Sequence, residues 1–218
     1  MLPIMTLEEF YALITKHRLL NDIKLQKAIR LAIKSFKGLK RDDGSDVLSQ
    51  HLLPMTASLI KYYVFERSKI DVEVLIVSLL HDVLEDVKGF DLSMIKDNFS
   101  NRVNNMVHLM TKYKQKNRKG YSIYINRLKY NRDYYNQIKS SPREVQLIKA
   151  ADRLNNLRCA YSNPDRNKIS NYIRETEEIY LEMFSKFPYF YKRISKELVR
   201  LRYYLNGNEL NDTKRIKS

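Results

Sequence analysis

An all-α domain is the fold class this sequence predicts, and three observations carry the prediction. Gly and Pro number only five each among 218 residues, so turns are few and helices long. Apolar residues recur at helical spacing in segment after segment, with Thr, Asp, Ser or Pro at the starts. No stretch reads as a convincing strand, and no internal repeat is visible. About ten helices account for the chain.

Thr6-Leu7-Glu8-Glu9 has the form of a capping box and opens a first helix to about Arg18. Asp22 starts a second, whose apolar face is Ile23, Ala28, Ile29, Leu31, Ala32, Ile33 and Phe36, with Gly38 at its end. Lys40 to Asp46 is a polar loop rich in turn formers. A third helix runs from about Val47 to Glu66 and carries His51; Pro54 requires that it begin nearby. Asp71 begins a fourth. Gly89 marks a turn, Asp91 caps a short helix through Phe99, and Ser100 caps the next, through Met110. Lys112 to Gly120 is a strongly basic loop, followed by a helix from Tyr121 to about Tyr135. Pro142 sits at the first position of a helix reaching Tyr161. Two more helices, about Asn167–Phe184 and Pro188–Leu205, complete one domain over residues 1–205, and 206–218 is a polar, frayed tail.

Composition narrows the function classes. At 44% hydrophobic residues the chain can build a real core, and no stretch approaches a transmembrane helix. The segment Met1 to Met5 is too short and uncharged for a signal peptide. Cys159 is the sole cysteine, so there is no disulfide framework, and a cytoplasmic location is expected. The net charge of +15 invites an anionic partner. The basic residues are spread rather than clustered, however, and no zinc finger, RNP motif or Gly-rich phosphate loop appears, so nucleic acid is not the expected ligand. A polyphosphorylated small molecule uses the same positive field. A Lys-rich solvated surface accounts for much of the charge.

The chemistry concentrates at Leu79-Leu80-His81-Asp82-Val83-Leu84-Glu85-Asp86. This stretch closes an apolar run from Val72 that reads as a buried helix. Four ionisable residues at the end of a buried helix need a partner, and a metal ion is a common one. His81 and Asp82 offer an imidazole and a carboxylate, while Glu85 and Asp86 follow one turn later on about the same side. Asp152 is a second polar intrusion, set among Ile148, Ala150 and Ala151. With His51 the set becomes two imidazoles and two carboxylates, a mixture suited to Mn²⁺, Fe²⁺ or Zn²⁺.

His51, His81-Asp82 and Asp152 together resemble the H…HD…D pattern of the HD-domain metal-dependent phosphohydrolases. His81 to Asp86 looks like the HDxxED motif of the RelA/SpoT hydrolase domains and small alarmone hydrolases. Ile148 to Arg158 is similar to that family's VKLADRLHNMR, Gly38 to Gly44 with His51 resembles GQxRxxGxPYxxHP, and Arg174 to Tyr180 resembles the helix after the hydrolase domain. The resemblance covers roughly residues 25 to 185 in the family's order. It implies an all-α HD-domain bundle with its metal and nucleotide site within 38–160 and C-terminal helices over 166–205. The implied reaction removes the 3′-pyrophosphate of (p)ppGpp, giving GDP or GTP and pyrophosphate. It also implies one Mn²⁺ held by His51, His81, Asp82 and Asp152, with Glu85 and Asp86 positioning and activating water. Arg41 would lie against the guanine, Asn156 would touch the nucleotide, and Cys159 could line its pocket. No synthetase motif follows Ser185, so a stand-alone hydrolase is expected.

The chain departs from the pattern in places. Gly44 to His51 is one residue longer than usual, the usual Pro-Tyr is Asp46-Val47, and Pro54 stands two places late. Asp42 and Asp43 replace basic and small residues and would repel a polyphosphate unless they point away. These departures favour, as an alternative, another nucleotide phosphate such as a 2′- or 3′-phosphorylated cofactor. A non-catalytic nucleotide sensor and a nucleic-acid binder are the remaining readings. The expected partner is a guanosine polyphosphate or related nucleotide, with a homo-oligomer left open. His17 and His108 belong to no pattern, Cys159 has no histidine placed to activate it, and the Tyr121–Tyr135 tyrosines read as helix packing. Lys112 to Lys119 reads as a solvated charge run, with closure over the 5′-phosphates as its functional alternative.

Overall fold

The computed structural model describes residues 4–41, 43–112, 123–163 and 165–215, giving the backbone alone for 123–131 and 208–215. Asp42, most of the basic loop, and Tyr121 therefore lie outside the described residues, as do the side chains of Tyr124 and Tyr130. Twelve α-helices follow in order among the described residues: α1 (Leu7–Lys16), α2 (Ile23–Ser35), α3 (Leu53–Phe65), α4 (Val72–Leu80), α5 (Val83–Asp86) and α6 (Leu92–Lys96), then α7 (Asn101–Met110), α8 (Ile123–Ser140), α9 (Arg143–Cys159), α10 (Arg166–Glu175), α11 (Leu181–Phe184) and α12 (Pro188–Arg215). π-helical turns at Leu48–Leu52 and Thr176–Tyr180 lead into α3 and α11. No strand occurs among the described residues; an isolated bridge joins Lys40 to Asp46.

The helix starts follow the side-chain chemistry. Thr6 and Glu9 form the reciprocal capping box, at 3.1 and 2.8 Å. Asp22, Asp71, Asp91 and Ser100 each accept a first-turn backbone N–H. Pro54 sits in the first turn of α3, directly after the π turn. Arg102 then clamps three starts together: it donates to the α4 cap Asp71 at 2.8 Å, to Glu73 at 2.9 Å and to Glu144 in the first turn of α9 at 3.1 Å.

α9 is the axis of the bundle, packed on α12, α3 and α4 and touching α7, α8 and α11. α4 is buried from Val74 to Leu80 and α9 over most of its length from Val145, so the C-terminal end of α4 and the middle of α9 lie inside the protein. Polar groups on these inner helices are paired, as Thr56 Oγ1 and Ser78 Oγ are at 2.7 Å, one donating to the other while the second donates to a backbone carbonyl one turn back.

Three details differ from the sequence expectation. Ile23 is 81% exposed, because it stands at the first position of α2, beyond the packed face of Leu25, Ala28, Ile29 and Ala32. The helix expected over Asn167–Phe184 is interrupted by a π turn. The last helix continues past Leu205 to Arg215.

Candidate metal centre

Three elements deliver the expected ligand set. His51 comes from the π turn before α3, His81 and Asp82 from the break between α4 and α5, and Asp152 from mid-α9. The donor atoms of His51, His81 and Asp152 all lie within 4.8 Å of one another, and all three residues are buried. His51 Nε2 stands 3.3 Å from His81 Nε2, 3.3 Å from Asp82 Oδ2 and 3.6 Å from Asp152 Oδ1. His81 Nε2 is 3.1 Å from Asp82 Oδ1. Ligand bonds of about 2.1 Å at tetrahedral or octahedral angles separate neighbouring donors by roughly 3.0–3.5 Å, so these spacings suit a shared divalent ion.

The tautomers support the same reading. His81 Nδ1 faces the Ser78 carbonyl at 2.9 Å, and a carbonyl only accepts, so this nitrogen carries the hydrogen. His51 Nδ1 is likewise matched to Asn155 Oδ1 at 2.7 Å. In neutral rings both Nε2 lone pairs then point at each other and at two carboxylates, an arrangement that calls for a cation. In the bare protein a proton answers that demand. Burial opposes the charged imidazole, yet Asp82 and Asp152 raise His81 to about 9. Asp82 in turn, against burial, is held well below the usual carboxylate range by His81 and His51. The donor set fits a divalent transition metal.

Around this cluster a cavity of about 500 Å³ opens. Glu85 and Asp86 line it from α5, one turn beyond Asp82, as the spacing requires. Glu85 Oε1 accepts the Lys112 backbone N–H at 2.6 Å. Burial and then the Asp82 charge push the Glu85 carboxyl up to about 7. Arg41 Nη2 donates to Asn156 Oδ1 at 2.7 Å, and Asn156 Nδ2 donates to Asp152 Oδ1 at 2.7 Å, which links the loop after α2 to the cluster. Cys159 lines the cavity but is buried, its Sγ 3.5 Å from the Gln50 carbonyl, and burial pushes its thiol up, away from a nucleophile's range. Asp43 also lines the wall, with its carboxylate accepting from the Ser45 backbone and the Ser162 hydroxyl.

Sequence reasoning called for nearby Lys and Arg to meet the phosphoryl charge but named neither Lys149 nor Arg153. Lys149 donates to Asp152 Oδ2 at 2.8 Å, and that carboxylate against burial holds the lysine well above its ordinary pKa. Arg153 pairs with Glu175 at 3.0 Å and stacks its guanidinium 4.4 Å from the Tyr180 ring. The Lys149–Asp152 spacing of three along a helix was the available signal; nothing in the sequence joins Arg153 to Glu175. Among the described lining residues carboxylates are as many as cations, so the excess of positive charge lies elsewhere on the chain.

A family model described as an HD domain matches residues 28–186. No curated protein matches the chain. Eighteen chains of solved structures match, among them one described as "A metazoan ortholog of SpoT hydrolyzes ppGpp and plays a role in starvation responses". It shares 17% identity with this chain at a TM-score of 0.64, over 82% of this chain and 96% of that one. At that identity the likeness concerns the fold. No helix among the described residues is long and apolar enough to cross a membrane. The matched segment contains every residue of the His/His/Asp cluster, and the chain belongs to the HD-domain family.

Proposed function

We infer that this protein is a metal-dependent phosphohydrolase that removes the 3′-pyrophosphate of (p)ppGpp. The observation that carries the reading is the buried His51–His81–Asp152 donor set with Asp82 against both imidazoles, at the wall of a cavity that Glu85 and Asp86 also line. The RelA/SpoT-like motifs and the likeness in fold to a SpoT ortholog described as hydrolysing ppGpp support the substrate. His51, His81, Asp82 and Asp152 would hold a Mn²⁺ ion, which would supply the charge that polarises a phosphoryl oxygen and acidifies water.

The chain's own groups do the rest. Water attacks the phosphorus on O3′, the P–O3′ bond breaks, and O3′ leaves as the alcohol, taking the proton that Glu85 relays from the attacking water. Glu85, poised near neutrality, accepts the proton of the attacking water, and the Lys112 N–H fixes its Oε1. Asp86 orients that water. Arg41 and Asn156, already hydrogen-bonded to each other, receive the nucleoside side. Asp43 on the cavity wall favours a second reading, a nucleotide with fewer phosphates.

Pyrophosphate release from ppGpp, with and without Mn²⁺ and beside Asp82→Ala, tests the function. Metal-dependent release lost in the variant is expected. Stoichiometric metal binding without release would discard the alarmone substrate and favour the second reading.

A further inference from the structure

Tyr134, which the sequence marks only as helix packing, organises one wall of the cavity. Its ring is buried, and its hydroxyl donates at 2.7 Å to the Met110 carbonyl at the end of α7. Lys112 Nζ stands 5.5 Å from the ring centroid and Lys149 Nζ 5.0 Å from it. All three side chains line the cavity. Lys149 also donates to Asp152 at 2.8 Å, which sets its ammonium directly beside the donor cluster.

An aromatic face attracts an ammonium through its quadrupole without cancelling the charge. Burial pushes the Tyr134 phenol far above its ordinary range, so the ring stays neutral. Each ammonium carries three donors, and Lys149 uses one of them on Asp152. Two cations gathered on one neutral ring, beside a metal-binding cluster, suit an anion that extends beyond the phosphate at the cluster.

The geometry points to Lys112 and Lys149, gathered on the Tyr134 ring, as a subsite for the distal phosphate of a diphosphate group. The inference rests on the hydrolase reading above, with the proximal phosphate at the donor cluster. A monophosphate ester occupies the cluster alone, whereas a diphosphate also reaches both lysines. Tyr134 is then a positioning residue. Lys112 has two duties, its ammonium toward the diphosphate and its backbone N–H toward Glu85, so anion binding and the placing of the base meet at one residue.

Calorimetric titration of the Mn²⁺-loaded protein with pyrophosphate and with orthophosphate tests this. The wild type should prefer pyrophosphate by about tenfold or more, the value of one charge-assisted hydrogen bond. Lys112→Met should erase about tenfold of that preference while Mn²⁺ stoichiometry and orthophosphate affinity hold. Tyr134→Phe keeps the ring and should keep the preference; Tyr134→Leu should lose it. Should Tyr134→Leu fail to fold, Lys112→Met decides alone. An unchanged preference in Lys112→Met, or none in the wild type, overturns the subsite. If the preference follows this pattern but ppGpp is not hydrolysed, the alarmone reading fails and the subsite stands; if ppGpp is hydrolysed and Lys112→Met changes nothing, the reverse holds.

Discussion

Glu85→Gln separates what the carboxylate does for chemistry from what it does to stability. Burial, and after it the Asp82 charge, raise the Glu85 pKa from 4.5 to about 7. At about 1.4 kcal/mol per unit this corresponds to roughly 3 kcal/mol, and because the side chain keeps partial solvent contact we expect about 2 kcal/mol to be measurable. The folded value lies above the unfolded one, so the unfolded chain releases its proton first. Stability is therefore present below pH 4.5 and lost as the pH rises to about 7. Glutamine keeps an oxygen to accept the Lys112 N–H and cannot ionise. Urea unfolding in the presence of a chelator should show the variant and wild type nearly equal at about pH 4, and the variant about 2 kcal/mol more stable at about pH 8. Mn²⁺ should narrow the gap, because a cation beside Asp82 offsets the repulsion. A gap independent of pH, or one favouring the wild type at high pH, would refute the electrostatic account.

Two further outcomes follow from contacts outside the reacting groups. Asn155→Ala removes the acceptor that fixes His51 Nδ1; titration should show Mn²⁺ affinity down about 10–100-fold, and an unchanged affinity would deny that the tautomer matters. Arg102→Ala should cost about 1 kcal/mol at neutral pH, given its exposure. Ser100 and Arg102 hold Glu73 below 4.5, and Arg102 and the cap bonds, against burial, hold Asp71 below 3.8. The stabilisation is thus present above those values and lost as the pH falls through the depressed ones. Chemical unfolding should show the penalty shrinking in acid and in high salt; a penalty indifferent to both would point to lost packing instead.

The helix starts were legible because capping is local: Thr6, Asp22, Asp71, Asp91 and Ser100 announce themselves within four residues. The donor residues were legible because a buried His or Asp is costly without a partner, and four such residues recur in the order of a known motif. Other features depend on distance in the chain. Lys112 reaches Glu85, Arg153 reaches Glu175, and Tyr134 reaches α7 only once α7, α8 and α9 have packed. The break at His81–Asp82 was hidden for a different reason, since Leu79 to Glu85 contains no Gly or Pro and reads as continuous helix. The backbone turns at Asp82 itself, whose φ of −95° and ψ of 0° leave the helical region.

The π turn before α3 bears on how this site tolerates change in length. Its Leu53 N–H reaches back five residues to the Leu48 carbonyl, so the turn holds one residue more than an α-helical turn between the same bonds. The segment from Gly44 to His51, which runs into this turn, reads as one residue longer than the block it resembles. A helix that absorbs an insertion as a local loop-out keeps the residues after it in phase, whereas a regular helix would swing them by about 100° per residue. His51 lies inside this turn, so a deletion among Leu48, Ser49 and Gln50 would swing its imidazole away from His81 and Asp152.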